Sequence, residues 1–231
     1  MNIIITGASK GIGKETTLAF AEDKNNHVLA IARSGSLLSK LSKNSEHNNI
    51  SYIEADLNES LKNPEKLLKE VKTVFNRVDI LINNAGVLIH KPFDEFTTDE
   101  IRLMTETHFI SPLLLTKTLI HSFSKNAHIV NISSMGGFQG SSRYPGMSVY
   151  SAVKGAIANL TESLGSEYEG KGLFFNSLAL GAVQTEMLET AFPGYDAPLN
   201  AEEMAGFIYW FAKNGHRYFN GKVIPVSVNN P

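Results

Sequence analysis

The chain has 231 residues, a hydrophobic fraction of 42% and a net charge of −2 at pH 7. This composition lacks the basic excess that would indicate nucleic-acid binding and the acidic, aromatic-poor character that would indicate disorder. Cysteine is absent, which excludes disulfides, zinc–thiolate sites and thiol nucleophiles. The length fits one α/β domain spanning residues 1–231.

Strand and helix signals alternate along the chain. Short apolar runs predict strands at residues 3–5, 27–32, 50–55, 79–82, 127–133, 172–179 and 223–226. Helical spacing predicts helices at residues 11–23, 36–41, 61–75, 98–122, 149–168 and 201–212, with Pro112 as a kink in the fourth. The alternation predicts a doubly wound Rossmann fold, in which a parallel sheet of about seven strands has helices on both faces.

Two segments interrupt this alternation, at about residues 135–148 and 181–200. The first is rich in glycine, serine and proline, and the second carries Phe192-Pro193-Gly194-Tyr195. Both follow the carboxyl ends of predicted strands, where open α/β sheets bind their ligands. We therefore expect both segments to be loops that face a substrate.

The first strand runs into Thr6-Gly7-Ala8-Ser9-Lys10-Gly11-Ile12-Gly13. Glycines at these positions allow a tight turn and a close approach to a pyrophosphate, which the next helix would bind at its N-terminus. An ATP-type P-loop is excluded, because Ala8 and Glu15 stand where its first glycine and its Ser/Thr are required. A plain glycine-rich turn between a strand and a helix remains the alternative.

The end of the second strand indicates which dinucleotide is bound. An NAD site places an acid there for the ribose, whereas an NADP site offers an arginine for the 2′-phosphate. This strand ends in Ala32-Arg33-Ser34, without an acid, and Lys10 adds a second cation. The pattern favours NADP(H) over NAD(H). The alternative is that both cations are ordinary solvated surface residues.

Tyr150 and Lys154 lie four residues apart at the start of the fifth predicted helix, and hence on one face of it. A nearby ammonium lowers the pKa of a phenol from its usual value of about 10. The two side chains can therefore form a general acid–base pair. Alone, such a pair occurs by chance on many helices, so its significance depends on its context.

Four motifs follow one another in the order that a known family has. They are Gly7/Gly11/Gly13, Asn83-Asn84-Ala85-Gly86, Ser133-Ser134 and Tyr150/Lys154. In this combination the chain resembles the short-chain dehydrogenase/reductase family over nearly its whole length. The resemblance implies hydride transfer between a nicotinamide cofactor and a carbonyl or secondary alcohol. It also implies a homodimer or homotetramer.

The resemblance assigns a role to each catalytic residue. Tyr150 would donate the proton in reduction and accept it in oxidation, and Lys154 would bind the nicotinamide ribose and lower the pKa of Tyr150. Ser134 would hydrogen-bond the substrate oxygen. Ser133 is a possible alternative donor, but the alternation of a strand should turn its side chain the other way.

The cofactor would contact residues from several parts of the chain. Asn83, Ala85 and Gly86 would hold its central part, Asp56 and Leu57 would touch the adenine, and Val183 and Thr185 would anchor the carboxamide. The full predicted set is Gly7, Ser9, Lys10, Gly11, Ile12, Gly13, Arg33, Asp56, Leu57, Asn83, Ala85, Gly86, Tyr150, Lys154, Gly181, Val183 and Thr185.

Three departures from the family pattern bear on the site. His108 stands where the family usually has an asparagine, and could hold a water, relay protons near its usual pKa of about 6.5, or simply pack. Ser134 and Tyr150 are further apart than usual, so the loop between them should bulge at the substrate mouth. Leu180-Gly181 replaces the usual Pro-Gly, which should loosen the backbone near the nicotinamide.

Several further expectations complete the sequence-based account. The longest apolar run is only 207–212 and the first residues indicate a strand, so we expect a cytoplasmic protein without a membrane partner. No metal site is expected, because the histidines lack ligand spacing. Two other functions remain open, namely a non-catalytic dinucleotide-binding protein and an epimerase or dehydratase on the same fold.

Overall fold

A parallel sheet of seven strands forms the centre of the fold in residues 1–228, which the computed structural model describes. The strands, including a separate pair of two-residue strands, are β1 Asn2–Thr6, β2 His27–Ala32, β3 Ile50–Glu54, β4 Val78–Asn83, β5 Phe123–Ser134, β6 Leu173–Leu180, β7 Val183–Gln184, β8 Leu199–Asn200 and β9 Lys222–Val226. The doubly wound α/β fold predicted from the sequence is confirmed.

Helices cover both faces of the sheet. They are α1 Gly11–Ala21, α2 Gly35–Lys43, α3 Leu57–Ser60, α4 Pro64–Val74, α5 Thr98–Thr105, α6 Ser111–Leu119, α7 Ser148–Glu167, α8 Glu186–Ala191 and α9 Ala201–Asn214. Within the described residues, no helix combines the length and the apolar character needed to cross a bilayer.

The order of the strands places the ligand site. Neighbouring strands follow the sequence β3-β2-β1-β4-β5-β6-β9, and all six pairings are parallel. The direction of the chain across the sheet therefore reverses between β1 and β4. Open α/β sheets bind ligands in the crevice at such a reversal, beyond the carboxyl ends of the strands.

Alternation along β1 divides the core into two layers. Ile3 and Ile5 are buried on the face covered by α1, α2 and α9, where they join Phe20, Leu38 and Ile208 as members of one hydrophobic cluster. Ile4 is buried on the opposite face, in a cluster that includes Leu67 of α4 and Leu115 of α6. Because both faces of each central strand are buried, the strands carry nearly continuous apolar sequence.

One predicted helix is shorter in the structure and another is divided. The helix predicted at 61–75 is α4, which begins at Pro64 because proline suits a first helical turn and cannot continue a preceding helix; the short α3 lies before this segment and was not predicted. The segment predicted as 98–122 forms α5, a π-helical turn over Glu106–Ile110, and α6. Pro112 lacks the N–H that would bond to the His108 carbonyl in a continuous α-helix, which favours an irregularity at this place.

A buried histidine links the far end of the sheet to α9. His128 Nδ1 lies 2.9 Å from the carbonyl oxygen of Ala212, and Nε2 lies 3.0 Å from Asn176 Nδ2. The orientation of the Asn176 amide is determined by its other partners, because Nδ2 also donates to Phe219 O and Oδ1 accepts from Lys222 N–H. The network therefore requires a neutral imidazole with its hydrogen on Nδ1. Burial is the main reason that the pKa of His128 falls to about 4.

This network predicts a pH-dependent stability. In the unfolded chain His128 has its ordinary pKa of about 6.5, so unfolding takes up a proton between about pH 6.5 and 4. The free energy of unfolding should fall as the pH is lowered through this window, by about 3 kcal/mol from His128, with neutral His108 adding to the slope. Urea denaturation at a series of pH values measures it.

Two variants isolate the contribution of His128. His128→Asn should flatten the slope between pH 6.5 and 4, although it also lowers stability at pH 7 through the lost hydrogen bond to Asn176. His121→Asn, a change at an exposed position, should leave the slope unchanged. An unchanged slope in His128→Asn would show that His128 does not stay neutral on folding.

Candidate active site

A cleft of about 1400 Å³ opens at the carboxyl edge of the sheet, across the reversal between β1 and β4. Nearly all of the residues that the sequence assigned to cofactor and catalysis line it. They are Gly7, Ser9, Lys10, Gly11, Ile12, Gly13, Arg33, Asp56, Leu57, Ala85, Gly86, His108, Ser134, Tyr150, Lys154, Gly181, Val183 and Thr185. Of the predicted site residues, Asn83 lies elsewhere.

The glycine-rich turn forms one wall of the cleft. Gly7 and Gly11 have φ of +68° and +51°, a backbone region that other residues rarely adopt. A side chain at Gly13 would overlap the Gly7 carbonyl and the Asn84 amide. No side chain caps the N-terminus of α1, so its first N–H groups face the cleft. This backbone cradle fits a pyrophosphate.

Thr6 joins the glycine-rich turn to the segment after β4. Its Oγ1 accepts hydrogen bonds from the N–H groups of Asn84 and Ala85, both at 3.0 Å. In return, Asn84 Nδ2 donates to Thr6 O at 3.0 Å and to Gly7 O at 3.4 Å. The two sides of the crevice are thereby held together at the reversal of the sheet.

The structure places two neighbouring asparagines differently from the sequence-based prediction. Asn83, predicted to hold the cofactor, is buried behind the wall of the cleft and donates to Asn131 Oδ1 at 2.8 Å. Asn84, which the sequence account left without a role, reaches the cleft and supports the glycine-rich turn. Alternation along β4 is the signal that distinguishes them, since Asn83 ends the strand with its side chain turned inward.

The charged side chains at the adenosine end of the cleft are arranged differently from the sequence-based prediction. Arg33 is exposed and forms no ion pair within residues 1–228. Lys10 is paired with Glu186 of α8 at 2.7 Å rather than free beside Arg33. β2 ends without an acid, as the sequence shows, but Glu54 at the end of the adjacent β3 brings a carboxylate to this part of the cleft.

Asp56 and the two serines after β5 have distinct local roles. Asp56 Oδ1 accepts from Asn58 N–H at 3.0 Å and so caps the short α3 beside the cleft. Both serines line the cleft, but Ser133 is buried and its hydroxyl donates to the Lys154 carbonyl at 2.7 Å. Ser134 Oγ accepts from Gly136 N–H at 3.2 Å, so the two hydroxyls have different partners.

Tyr150 and Lys154 share one wall of the cleft near Ser134. Lys154 is buried, its Nζ donates to the Ile132 carbonyl at 2.7 Å, and it lies 5.6 Å from the centre of the Tyr150 ring. Burial lowers the pKa of Lys154 to about 7. Burial likewise raises the pKa of Tyr150 to about 12, against the opposing effect of a hydrogen bond with Ser134. Lys154 is not among the groups that lower the Tyr150 pKa in this structure, although the resemblance implies such an effect.

His108 lies in the π-helical turn with its ring edge toward Tyr150, 5.2 Å between ring centres. Its Nε2 is 2.6 Å from Val87 O and 3.1 Å from Val87 N, so the Val87 backbone engages it in either tautomer. Nδ1 is buried and has no hydrogen-bond partner among the described residues. Burial, followed by the charge of Lys154, lowers the pKa of His108 to about 3. This lowering disfavours proton relay by titration near neutrality, which is one of the roles that the sequence left open for His108.

His90, after β4, bridges the two predicted substrate loops. Its Nε2–H donates to Pro145 O of the first loop at 3.1 Å, and its ring contacts Phe192 of the second with 4.5 Å between centres. The second loop contains β7, α8 and β8 rather than irregular chain throughout. The expected looseness at Gly181 is not seen, since its N–H donates to Val226 O at 2.9 Å and extends the pairing of β6 with β9.

Comparisons with known proteins agree on one family. The sequence profile described as short chain dehydrogenase matches residues 1–196. An uncharacterized oxidoreductase of Listeria monocytogenes is 34% identical over 193 residues, which cover 81% of this chain and 76% of the relative.

Two solved structures illustrate the match in fold. ElxO with NADP bound has a TM-score of 0.84 and 26% identity, with 97% of this chain and 96% of that chain covered. A 3-ketoacyl-(acyl-carrier-protein) reductase of Brucella melitensis complexed with NADH has a TM-score of 0.86, with 97% and 96% covered. At 21% identity, the second likeness bears on the fold alone.

The Thr6 junction predicts a selective loss of stability. Thr6→Val keeps the shape of the side chain but leaves the Asn84 and Ala85 N–H groups without their acceptor. The free energy of unfolding should fall by about 1–3 kcal/mol, since two part-buried donors lose their acceptor and can bond only to water in the cleft. Thr6→Ser keeps the acceptor and should lose about 1 kcal/mol from its missing methyl group. Equal losses in the two variants, measured by urea denaturation, would contradict the role of the hydroxyl.

Proposed function

This chain belongs to the short chain dehydrogenase family and is an oxidoreductase, and on that premise we propose that it transfers a hydride between NADP(H) and a carbonyl or secondary alcohol substrate. The observation that carries the proposal is the convergence of Tyr150, Lys154 and Ser134 in one cleft with the glycine-rich turn. The cleft thus combines a cradle for a dinucleotide with an acid–base group.

The bound nicotinamide would supply the hydride, and this chain would supply binding, orientation and a proton. The turn from Gly7 to Gly13 would hold the pyrophosphate, and Asp56 and Leu57 would flank the adenine. Thr185, which caps α8 through its side chain, would hold the carboxamide end together with Val183. Arg33, with Lys10 when it leaves Glu186, would bind the 2′-phosphate.

Tyr150 would donate the proton in the direction of reduction. With a pKa of about 12, its phenol keeps its proton at neutral pH, which is the form that a general acid requires. The Ser134 hydroxyl would hydrogen-bond the carbonyl oxygen as that oxygen gains negative charge. Lys154, whose pKa of about 7 lies close to neutrality, would return a proton to the tyrosine afterwards.

His108 would act as a neutral positioning residue. Its pKa of about 3 keeps the imidazole uncharged across the physiological range. Its unpartnered Nδ1 could hydrogen-bond a water in the relay that the family usually builds on asparagine. A neutral imidazole also adds no positive charge beside Lys154, so it does not lower the pKa of that ammonium further.

The substrate is proposed to be apolar or aromatic. Met187, Leu188, Phe192 and Tyr195 belong to the loop around α8, and all four line the cleft. Side chains of this kind favour an aryl or long-chain carbonyl compound over a sugar. The preference for NADP(H) favours reduction as the physiological direction.

The proposal extends to the setting of the protein. We propose one domain over the whole chain, a location in the cytoplasm, and a homodimer or homotetramer. Trp210 on α9 is 49% exposed, and a large apolar side chain on a helix face is a typical subunit contact. Sedimentation velocity would test the association, and a monomer at micromolar concentration would contradict it.

Tyr150→Phe should lower kcat for NADPH oxidation by about 10²–10⁴-fold, because the variant has no proton to donate. NADPH binding, measured by fluorescence titration, should stay within about threefold of wild type. Tyr144→Phe is the matched control, since Tyr144 also lines the cleft but lacks a lysine four residues later. Turnover by Tyr150→Phe at the wild-type rate would refute the assignment of the acid.

Arg33→Ala should weaken NADPH binding far more than NADH binding, because the 2′-phosphate carries close to two negative charges. We expect about 10- to 100-fold for NADPH and less than about threefold for NADH, with the difference shrinking at high salt. Equal losses for both cofactors would overturn the proposed preference for NADP(H).

A further inference from the structure

We infer that Glu54 is a specificity-determining residue. Its carboxylate repels the 2′-phosphate of NADP(H) and so reduces the preference for NADP(H) over NAD(H). The inference rests on the proposed function, because it concerns the adenosine end of the same cleft. In a parallel sheet the carboxyl ends of neighbouring strands lie side by side. Ala32 at the end of β2 pairs with Glu54 at the end of β3, so β3 supplies the acid that β2 lacks.

Gly35 shows where the Glu54 carboxylate lies. A methyl group added at Gly35 would overlap Glu54 Oε2 and its carboxyl carbon. Gly35 has no positive φ, and the end of a glutamate side chain can move aside, so neither the backbone nor this overlap requires glycine here. The contact places the Glu54 carboxylate beside the first residue of α2, two positions after Arg33.

The first turn of α2 has neither a side-chain cap nor an acidic residue of its own. Within residues 1–228, no side-chain hydrogen bond or ion pair engages Glu54. Its oxygens are therefore available to accept from a ribose hydroxyl, as the acid of an NAD site does.

Four charged side chains set the balance of charge at this end of the cleft. Arg33 is exposed without an ion pair, while Lys10 already neutralises Glu186. Glu54 then offsets the positive charge of Arg33, so the net charge at this end of the cleft is close to zero. A 2′-phosphate in this region is attracted by Arg33 and repelled by Glu54. The 2′-hydroxyl of NAD(H) can instead donate a hydrogen bond to the Glu54 carboxylate. The cleft would accordingly bind both cofactors and favour NADP(H) only modestly.

Isothermal titration calorimetry of the full chain with NADP⁺ and NAD⁺, without substrate, tests the inference. These ligands differ only in the 2′-phosphate. Glu54→Gln should raise the ratio of the NADP⁺ affinity to the NAD⁺ affinity by about tenfold, since it removes one like charge near the phosphate. The gain should shrink as salt is raised from about 50 to 500 mM, where screening is strong.

Glu65→Gln is the matched control. Glu65 also lies in the first turn of a helix, α4, and is exposed, but it does not line the cleft. Glu65→Gln changes the net charge of the protein by the same amount as Glu54→Gln. Its ratio of NADP⁺ affinity to NAD⁺ affinity should nevertheless equal that of wild type. A Glu54→Gln ratio within twofold of the Glu65→Gln ratio, or an equal gain for both ligands, would overturn the inference.

Arg33→Ala separates this inference from the proposed function. If Arg33→Ala weakens NADP⁺ binding while Glu54→Gln changes nothing, the preference for NADP(H) stands and the role of Glu54 fails. If Glu54→Gln raises the ratio while Arg33→Ala has no effect, the role of Glu54 stands and the proposed role of Arg33 fails.

Discussion

The Thr6 hydroxyl makes the contact on which the rest of the site depends. It accepts two backbone N–H groups from the segment after β4, and Asn84 returns two hydrogen bonds to the turn after β1. These bonds lie where the strand order reverses. Without them, the segments that follow β1 and β4 would diverge toward two different helices. They fix the distance between the glycine-rich turn and the wall that carries Ala85 and Gly86. The cradle for a dinucleotide is therefore a property of this junction as much as of the glycines.

Burial controls the chemistry on the opposite wall. Lys154 and Tyr150 sit where water is scarce, so their pKa values move toward the neutral forms, to about 7 and about 12. A protonated phenol suits an enzyme that completes a carbonyl reduction by giving up a proton. An ammonium close to neutrality suits a group that exchanges protons with both tyrosine and solvent. His108 stays neutral beside them, which avoids a second positive charge in the same buried space.

The sequence predicted the fold and most of the site because those features depend on local patterns. Strand runs are visible as apolar residues, the turn after β1 as glycines, and the pair on α7 as a four-residue spacing. The π-helical turn at His108 was not predictable, since helical periodicity continues through it and Pro112 indicates only a kink. Which of Asn83 and Asn84 reaches the cleft depends on the residue at which β4 ends. The ends of strands are the least certain part of a sequence-based prediction.

Glu54 was missed for a different physical reason. The sequence pattern of an NAD site concerns the end of β2, whereas this carboxylate comes from the neighbouring β3 through the register of the sheet. Pairing between strands depends on the whole topology, which no local pattern encodes. The ion pair of Lys10 with Glu186 was missed for the same reason, because the two residues lie in segments far apart in the chain.

The claim that this chain moves a hydride to a carbonyl carbon can be tested by following the hydride itself. The experiment incubates the enzyme with NADPH that carries deuterium at the transferable C4 position, together with a panel of aromatic ketones and diketones, and analyses the alcohol products by mass spectrometry. The account predicts that deuterium appears on the carbinol carbon of at least one product, while the hydroxyl proton comes from solvent. NADPH that remains unoxidised with every carbonyl compound, or deuterium that is lost to water, would contradict it.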